Sequence, residues 1–79
     1  MHHQPTPPER VLARRRAVGD RIRAARLYAN LTQEAVGIRA DVGLASYNRI
    51  EQGHASPRLD TLIRIADAIG VPLADLVRE

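Results

Sequence analysis

The chain has 79 residues, a net charge of +3, 44% hydrophobic side chains, and no Cys, Trp or Phe. Such a length predicts one domain at most, with no room for a separate effector-sensing domain. The lack of Cys excludes a disulfide staple and a thiolate zinc site, and a core limited to Leu, Ile, Val and Ala favours an all-α bundle.

Charge is distributed unevenly. Residues 1–30 carry seven Arg against Glu9 and Asp20, whereas residues 31–79 carry five Arg against seven acids. A basic arm therefore precedes a mildly acidic body. Every basic side chain is Arg, whose planar fork suits phosphate and guanine, although a GC-rich genome would produce the same usage. No long apolar run is present and three prolines stand near the start, so neither a leader nor a membrane span is expected and the chain is placed in the cytoplasm.

Met1 to Gln4 contain nothing to order them. Thr6-Pro7-Pro8-Glu9 reads as a helix start, with Thr6 as cap and Glu9 completing a capping box. Val11, Val18, Ile22, Ala25 and Ala29 then fall on one helical face, which predicts a helix to about Tyr28, with a break or bend at Gly19. We divide the chain accordingly into a basic N-terminal arm or helical extension, residues 1–17, and a helical domain, residues 18–79.

Thr32 is a good cap for a second helix from Gln33 to Arg39 or Ala40, and Asp41 can take the left-handed conformation that ends it. Gly43 can cap a third helix, Leu44 to Gln52, which Gly53 stops. A fourth helix begins near Pro57, with Leu59, Leu62, Ile63, Ala66 and Ile69 predicted inward and Arg58, Asp60, Arg64 and Asp67 in water. Gly70 closes it, and a short fifth helix from about Pro72 to Val77 is expected to bury Leu73 and Leu76 and to offer a dimer surface. Two short helices joined by a tight turn, here 32–53, are the arrangement that presents one helix to the DNA major groove.

The segments DRIRAAR, LTQEAV, SYNRIEQG and SPRLDTLIRIADAIGVPLADL, in that order, resemble the helix-turn-helix family of phage lambda repressor and Cro proteins, often called the Xre family. The resemblance spans about residues 18–77 and implies a five-helix DNA-binding domain whose third helix reads bases. By resemblance, Leu44, Ala45, Asn48 and Arg49 lie where family members contact base edges. A guanidinium at Arg49 can bond guanine O6 and N7 together. Leu44 and Ala45 can meet thymine methyls or simply pack, and Asn48 can bond adenine or a phosphate.

Phosphate contacts are expected from Thr32 and Gln33 at the start of the second helix, from the Gly43 amide, and from Arg58. Ser46, His54 and Arg39 read as solvated surface. The family pairs a basic residue of the first helix with an acid late in the third, which implies a structural ion pair between Arg26 and Glu51. Three positions depart from the family pattern: Gly37 for Ala, Asp41 for Gly, and Tyr47 for Ile or Val.

The functional expectation is a sequence-specific DNA-binding transcriptional regulator, a repressor, that binds an inverted repeat as a homodimer. The alternative is an antitoxin-like protein-interaction module that touches DNA secondarily. Arg10, Arg14, Arg15 and Arg16 read either as a phosphate-tracking arm or as a solvated helix face. No catalytic residues, metal, cofactor or small-molecule substrate are expected: His2 and His3 sit at the start and His54 in a loop.

Overall fold

The first helix runs without interruption from Glu9 to Tyr28 (α1) in the computed structural model, which describes residues 8–79. Pro8 is its N-cap, and the Thr6 capping box and the Met1 to Gln4 tail lie outside the described residues. No break occurs at Gly19. The glycine is needed for a contact across space: a Cβ there would lie 2.5 Å from the Glu51 carbonyl oxygen and 2.7 Å from that of Ile50. The mid-helix Gly thus marks where a second helix end presses against α1, rather than a hinge.

Asn30 ends α1 in the left-handed region, φ 59°, with the Leu31 amide closing on the Arg26 carbonyl. Then follow α2, Gln33–Ala40, and α3, Leu44–Glu51. Thr32 Oγ1 accepts from the Ala35 amide at 3.0 Å, the side-chain cap that the sequence predicts. Asp41 adopts φ 57° and lets the Val42 amide reach the Gly37 carbonyl at 2.8 Å. Gly37 belongs to the same turn. A Cβ at that position would stand 2.8 Å from the Val42 carbonyl oxygen, so a glycine inside α2 and an aspartate in the turn together replace the more usual alanine and glycine.

The chain continues into α4, Leu59–Ile69, ended by Gly70 at φ 92°, and α5, Leu73–Val77. Every helix contributes to one core made of Ile22, Val36, Ala40, Tyr47, Ile50, Ile65, Ala66, Ile69 and Leu76. α2 packs on α3 and α4, while α1 packs on α3 and α5.

Three expectations about faces need correction. On α4, Leu59 is 61% and Ile63 40% exposed, whereas Ile65 is fully buried, so the inward stripe is Leu62, Ile65, Ala66 and Ile69. α4 is apolar around much of its circumference, and its neighbours α2 and α5 decide which side faces in. Arg64 is not merely solvated: its Nε donates to the Ala40 carbonyl at 2.9 Å, satisfying the end of α2. On α1, Val11 and Ala29 are exposed because they lie beyond the reach of the core, which Ile22 centres.

Candidate nucleic-acid interface

One side of α3 is anchored through a single buried carboxylate. Glu51, 4% exposed, accepts four hydrogen bonds: from Arg26 Nε (2.6 Å) and Nη2 (3.1 Å), from Gln33 Nε2 (3.0 Å), and from the Tyr47 hydroxyl (2.5 Å). A carboxylate offers about four lone-pair positions, so its accepting capacity is filled. Burial pushes the Glu51 carboxyl upward, but the bonds from Arg26, Tyr47 and Gln33 outweigh it and hold the group below its ordinary range. The hydrogen bond to Glu51 likewise raises Arg26, and burial followed by that bond raises the Tyr47 hydroxyl.

The same arginine fastens the helix to its surroundings. Arg26 Nη1 donates to the Leu31 carbonyl at 3.0 Å, tying the α1–α2 turn into the network. Tyr47, fully buried, fills core volume with its ring and finds its polar partner one helical turn away in Glu51. The i to i+4 spacing of those two residues is a sequence signal for this bond. No buried side-chain nitrogen or oxygen among the described residues lacks a partner.

The opposite side of α3 is open. Leu44 is 51% exposed, Ala45, Ser46 and Arg49 are exposed, and Asn48 is half-buried. Arg49 Nη2 rests on the His54 carbonyl at 3.0 Å and has no acidic partner among the described residues. Asn48 Nδ2 donates to Gln33 Oε1 at 3.2 Å. Beside α3 runs a groove of about 350 Å³ whose lining includes Gly43, Ser46, Arg49, Pro57, Thr61 and Arg64. Arg64 was not among the residues that sequence singles out for this surface; its place one turn after Asp60 in an apparently solvated row gave no sign of it.

Flanking groups complete the face. Thr32 and Gly43 cap α2 and α3, and helix geometry leaves the first amides of both helices without carbonyl partners inside the helix, that of Ala35 being taken by Thr32 Oγ1. Arg58 is the exposed N-cap of α4 and makes no side-chain cap bond. Gln33 differs from the simple expectation, because its amide is already engaged on both sides, by Glu51 and by Asn48. Of the residues expected to be solvated, Ser46 and His54 are exposed, and Arg39 Nη1 reaches the Ala68 carbonyl at 3.3 Å.

Comparison with known proteins bears on what such a surface serves. A family model described as a helix-turn-helix domain matches residues 17–79. The chain is similar to the cryptic phage CTXphi transcriptional repressor RstR of Vibrio cholerae, 39% identical over 59 residues, covering 75% of this chain and 53% of the relative. It thus spans about half the length of that curated relative. Among solved structures it is similar in fold to the restriction-modification controller protein C.AhdI from Aeromonas hydrophila, with a TM-score of 0.79 and 22% identity over 81% of this chain and 97% of that one. It is also similar to the apo form of the competence regulator ComR from Streptococcus vestibularis, TM-score 0.75 and 31% identity over 81% of this chain and 22% of that one. Among the described residues no helix is long and apolar enough to cross a membrane.

Proposed function

The chain belongs to the helix-turn-helix family of DNA-binding proteins of the lambda repressor and Cro type, and from that premise we propose that it is a sequence-specific transcriptional repressor acting in the cytoplasm. Residues 18–79 form the reading domain, and α3 enters the major groove. The observation that carries this reading is the division of α3 into a fully bonded inner side and an open outer side bearing Leu44, Ala45, Asn48 and Arg49. Those four residues contact base edges. Thr32, Gly43 and Arg58, with Gln33 through its backbone amide since its side chain is engaged by Glu51 and Asn48, position the domain on phosphates from the starts of three helices.

A helix of eight residues reads only a few base pairs, too few to stand out among competing genomic sites. The protein therefore acts as a homodimer on an inverted repeat. Leu76 is spent in the core, which removes it from the dimer surface expected on α5; of the exposed large apolar side chains, Val77 lies on α5 and Leu59 and Ile63 lie one turn apart on α4, while Val11, Leu27, Tyr28, Ile38 and Leu44 lie on or beside the other helices. The repressor named among the relatives supports the direction of regulation.

Selection of bound duplexes from a randomised pool at physiological salt tests the proposal. Enrichment of a two-fold symmetric motif with half-sites about 10 base pairs apart is expected. Recovery of no motif would overturn it.

A further inference from the structure

Beyond the assignment of α3 as the reading helix, and resting on it, the hydrogen-bond order around Gln33 specifies which base Asn48 can read. The chain of bonds runs outward from the core: Glu51 accepts from Gln33 Nε2 at 3.0 Å, and Gln33 Oε1 accepts from Asn48 Nδ2 at 3.2 Å. Its direction is imposed. An ionised carboxylate only accepts, so the Gln33 amide must turn its NH2 group towards Glu51. The Gln33 carbonyl oxygen is then the end that meets Asn48, and it too only accepts. Asn48 must therefore spend an Nδ2 hydrogen on Gln33. Turning either amide over would set acceptor against acceptor beside a buried charge.

What Asn48 has left is one acceptor, Oδ1, and one Nδ2 hydrogen. We infer that the Glu51–Gln33–Asn48 relay fixes Asn48 as a reader of adenine, with Oδ1 accepting from N6 and Nδ2 donating to N7. Adenine is the base whose major-groove edge places a donor beside an acceptor. Guanine presents two acceptors, O6 and N7, and would set one of them against Oδ1. Cytosine supplies a donor alone and thymine an acceptor alone, so each satisfies only half of the remaining amide. Gln33 is a positioning residue in this scheme, reaching the base only through Asn48. The buried Arg26 on Glu51 keeps the carboxylate ionised and thereby holds the relay in one sense.

The test begins from the selected operator. Asn48→Ala identifies the base pair where discrimination disappears, and that pair should be A·T. Replacing its adenine by 7-deazaadenine, which lacks the N7 acceptor, should weaken wild-type binding roughly tenfold and leave the Asn48→Ala complex unchanged. Gln33→Ala, checked by its melting curve, should then lose several-fold of the adenine-over-guanine preference at that pair while discrimination at the Arg49-dependent pair stays intact. An Asn48-dependent pair that is G·C overturns the inference and leaves the major-groove reading standing. Equal weakening by Gln33→Ala on every duplex also overturns it, by reducing Gln33 to a phosphate contact. Absence of any selected motif would bring down the major-groove reading and the relay with it.

Discussion

The two sides of α3 differ in how their side chains are held. On the inner side, Tyr47, Ile50 and Glu51 are buried, and the carboxylate receives donors from α1, α2 and α3 itself. On the outer side, Leu44, Ala45 and Arg49 are exposed, and the only side-chain hydrogen bond among them is that of Arg49 to the His54 carbonyl. The inner side determines where the helix sits; the outer side is left free, and in the proposed function it determines what the helix reads. Asn48 stands between the two, half-buried and bonded to the network, so it alone brings the constraint of the inner side towards the outer one.

This separation breaks most severely at Glu51. Glu51→Ala leaves the Arg26 guanidinium buried without its partner and should cost about 3 to 5 kcal/mol. A small single core supplies about 3 to 5 kcal/mol in total, so the variant should be largely unfolded at room temperature, as read by thermal or urea unfolding. Unchanged melting would refute the anchoring role. Acid should act on the same group. Its folded-state pKa lies below the unfolded one, so the stabilisation is fully present above the ordinary carboxylate value of 4.5 and is lost as pH falls from there through the folded value. The melting temperature should drop over that interval, and Glu51→Gln should flatten the dependence.

Gly19→Ala attacks the anchor from α1. Alanine gains about 1 kcal/mol of helix propensity, but the new methyl group meets two backbone carbonyls that no rotamer change can move aside. Overpacking of this kind costs about 1 to 3 kcal/mol, so a net loss of up to about 2 kcal/mol is expected in denaturant unfolding. A more stable variant would mean that the helices do not approach as closely as described.

Much of this arrangement is legible in the sequence, and what is not legible is instructive. Thr32, Asp41 and Gly70 declare helix ends because capping is a local interaction, decided by neighbours in the chain. Gly19 misleads for the opposite reason: its function lies in the carbonyls of residues far along the sequence, and locally it reads as a weak point. Ile65 is missing from the predicted α4 stripe, and Leu59 and Ile63 wrongly included, because residues 59, 62, 63, 65, 66 and 69 are all apolar and support two overlapping faces, between which only tertiary packing chooses. At the reading surface, the four outer residues are placed by family resemblance. The engagement of Gln33 is hidden, since an amide at a helix start looks the same whether it will meet a phosphate or a buried carboxylate.

On the outer side the expected effects fall on recognition. Arg49→Ala should cost about 1 to 3 kcal/mol of discrimination at one base pair, with the melting temperature unchanged because the bond it gives up is exposed. Binding to operators substituted one position at a time provides the check, and uniform weakening across all of them would make Arg49 a phosphate contact instead. Thr32→Ala, at the boundary of the two behaviours, should lose about 1 kcal/mol of stability through the missing cap.

The smallest effect is expected from the basic arm, and it sharpens the comparison by showing that exposed charge alone does not make a reading surface. Arg10 Nη2 lies 3.6 Å from Glu79 Oε1, and Arg14 Nη2 donates to the Arg78 carbonyl at 3.3 Å with its Nε 3.9 Å from Glu79. Arg15 Nε donates to the Gly53 carbonyl at 3.0 Å, just past the end of α3. These side chains are directed at the chain's own surface. Deleting the arm would confound two functions, since Arg15 and Arg16 also pack on Gly53. Paired substitution of Arg10 and Arg14 by Ala separates them. Exposed ion pairs are worth about 0 to 1 kcal/mol, so stability should barely move. The slope of log affinity against log salt should also stay constant, whereas loss of two phosphate contacts per subunit, four per dimer, would lower it by about 3.6. A slope reduced by that amount would assign both arginines to the DNA backbone and extend the outer surface along α1.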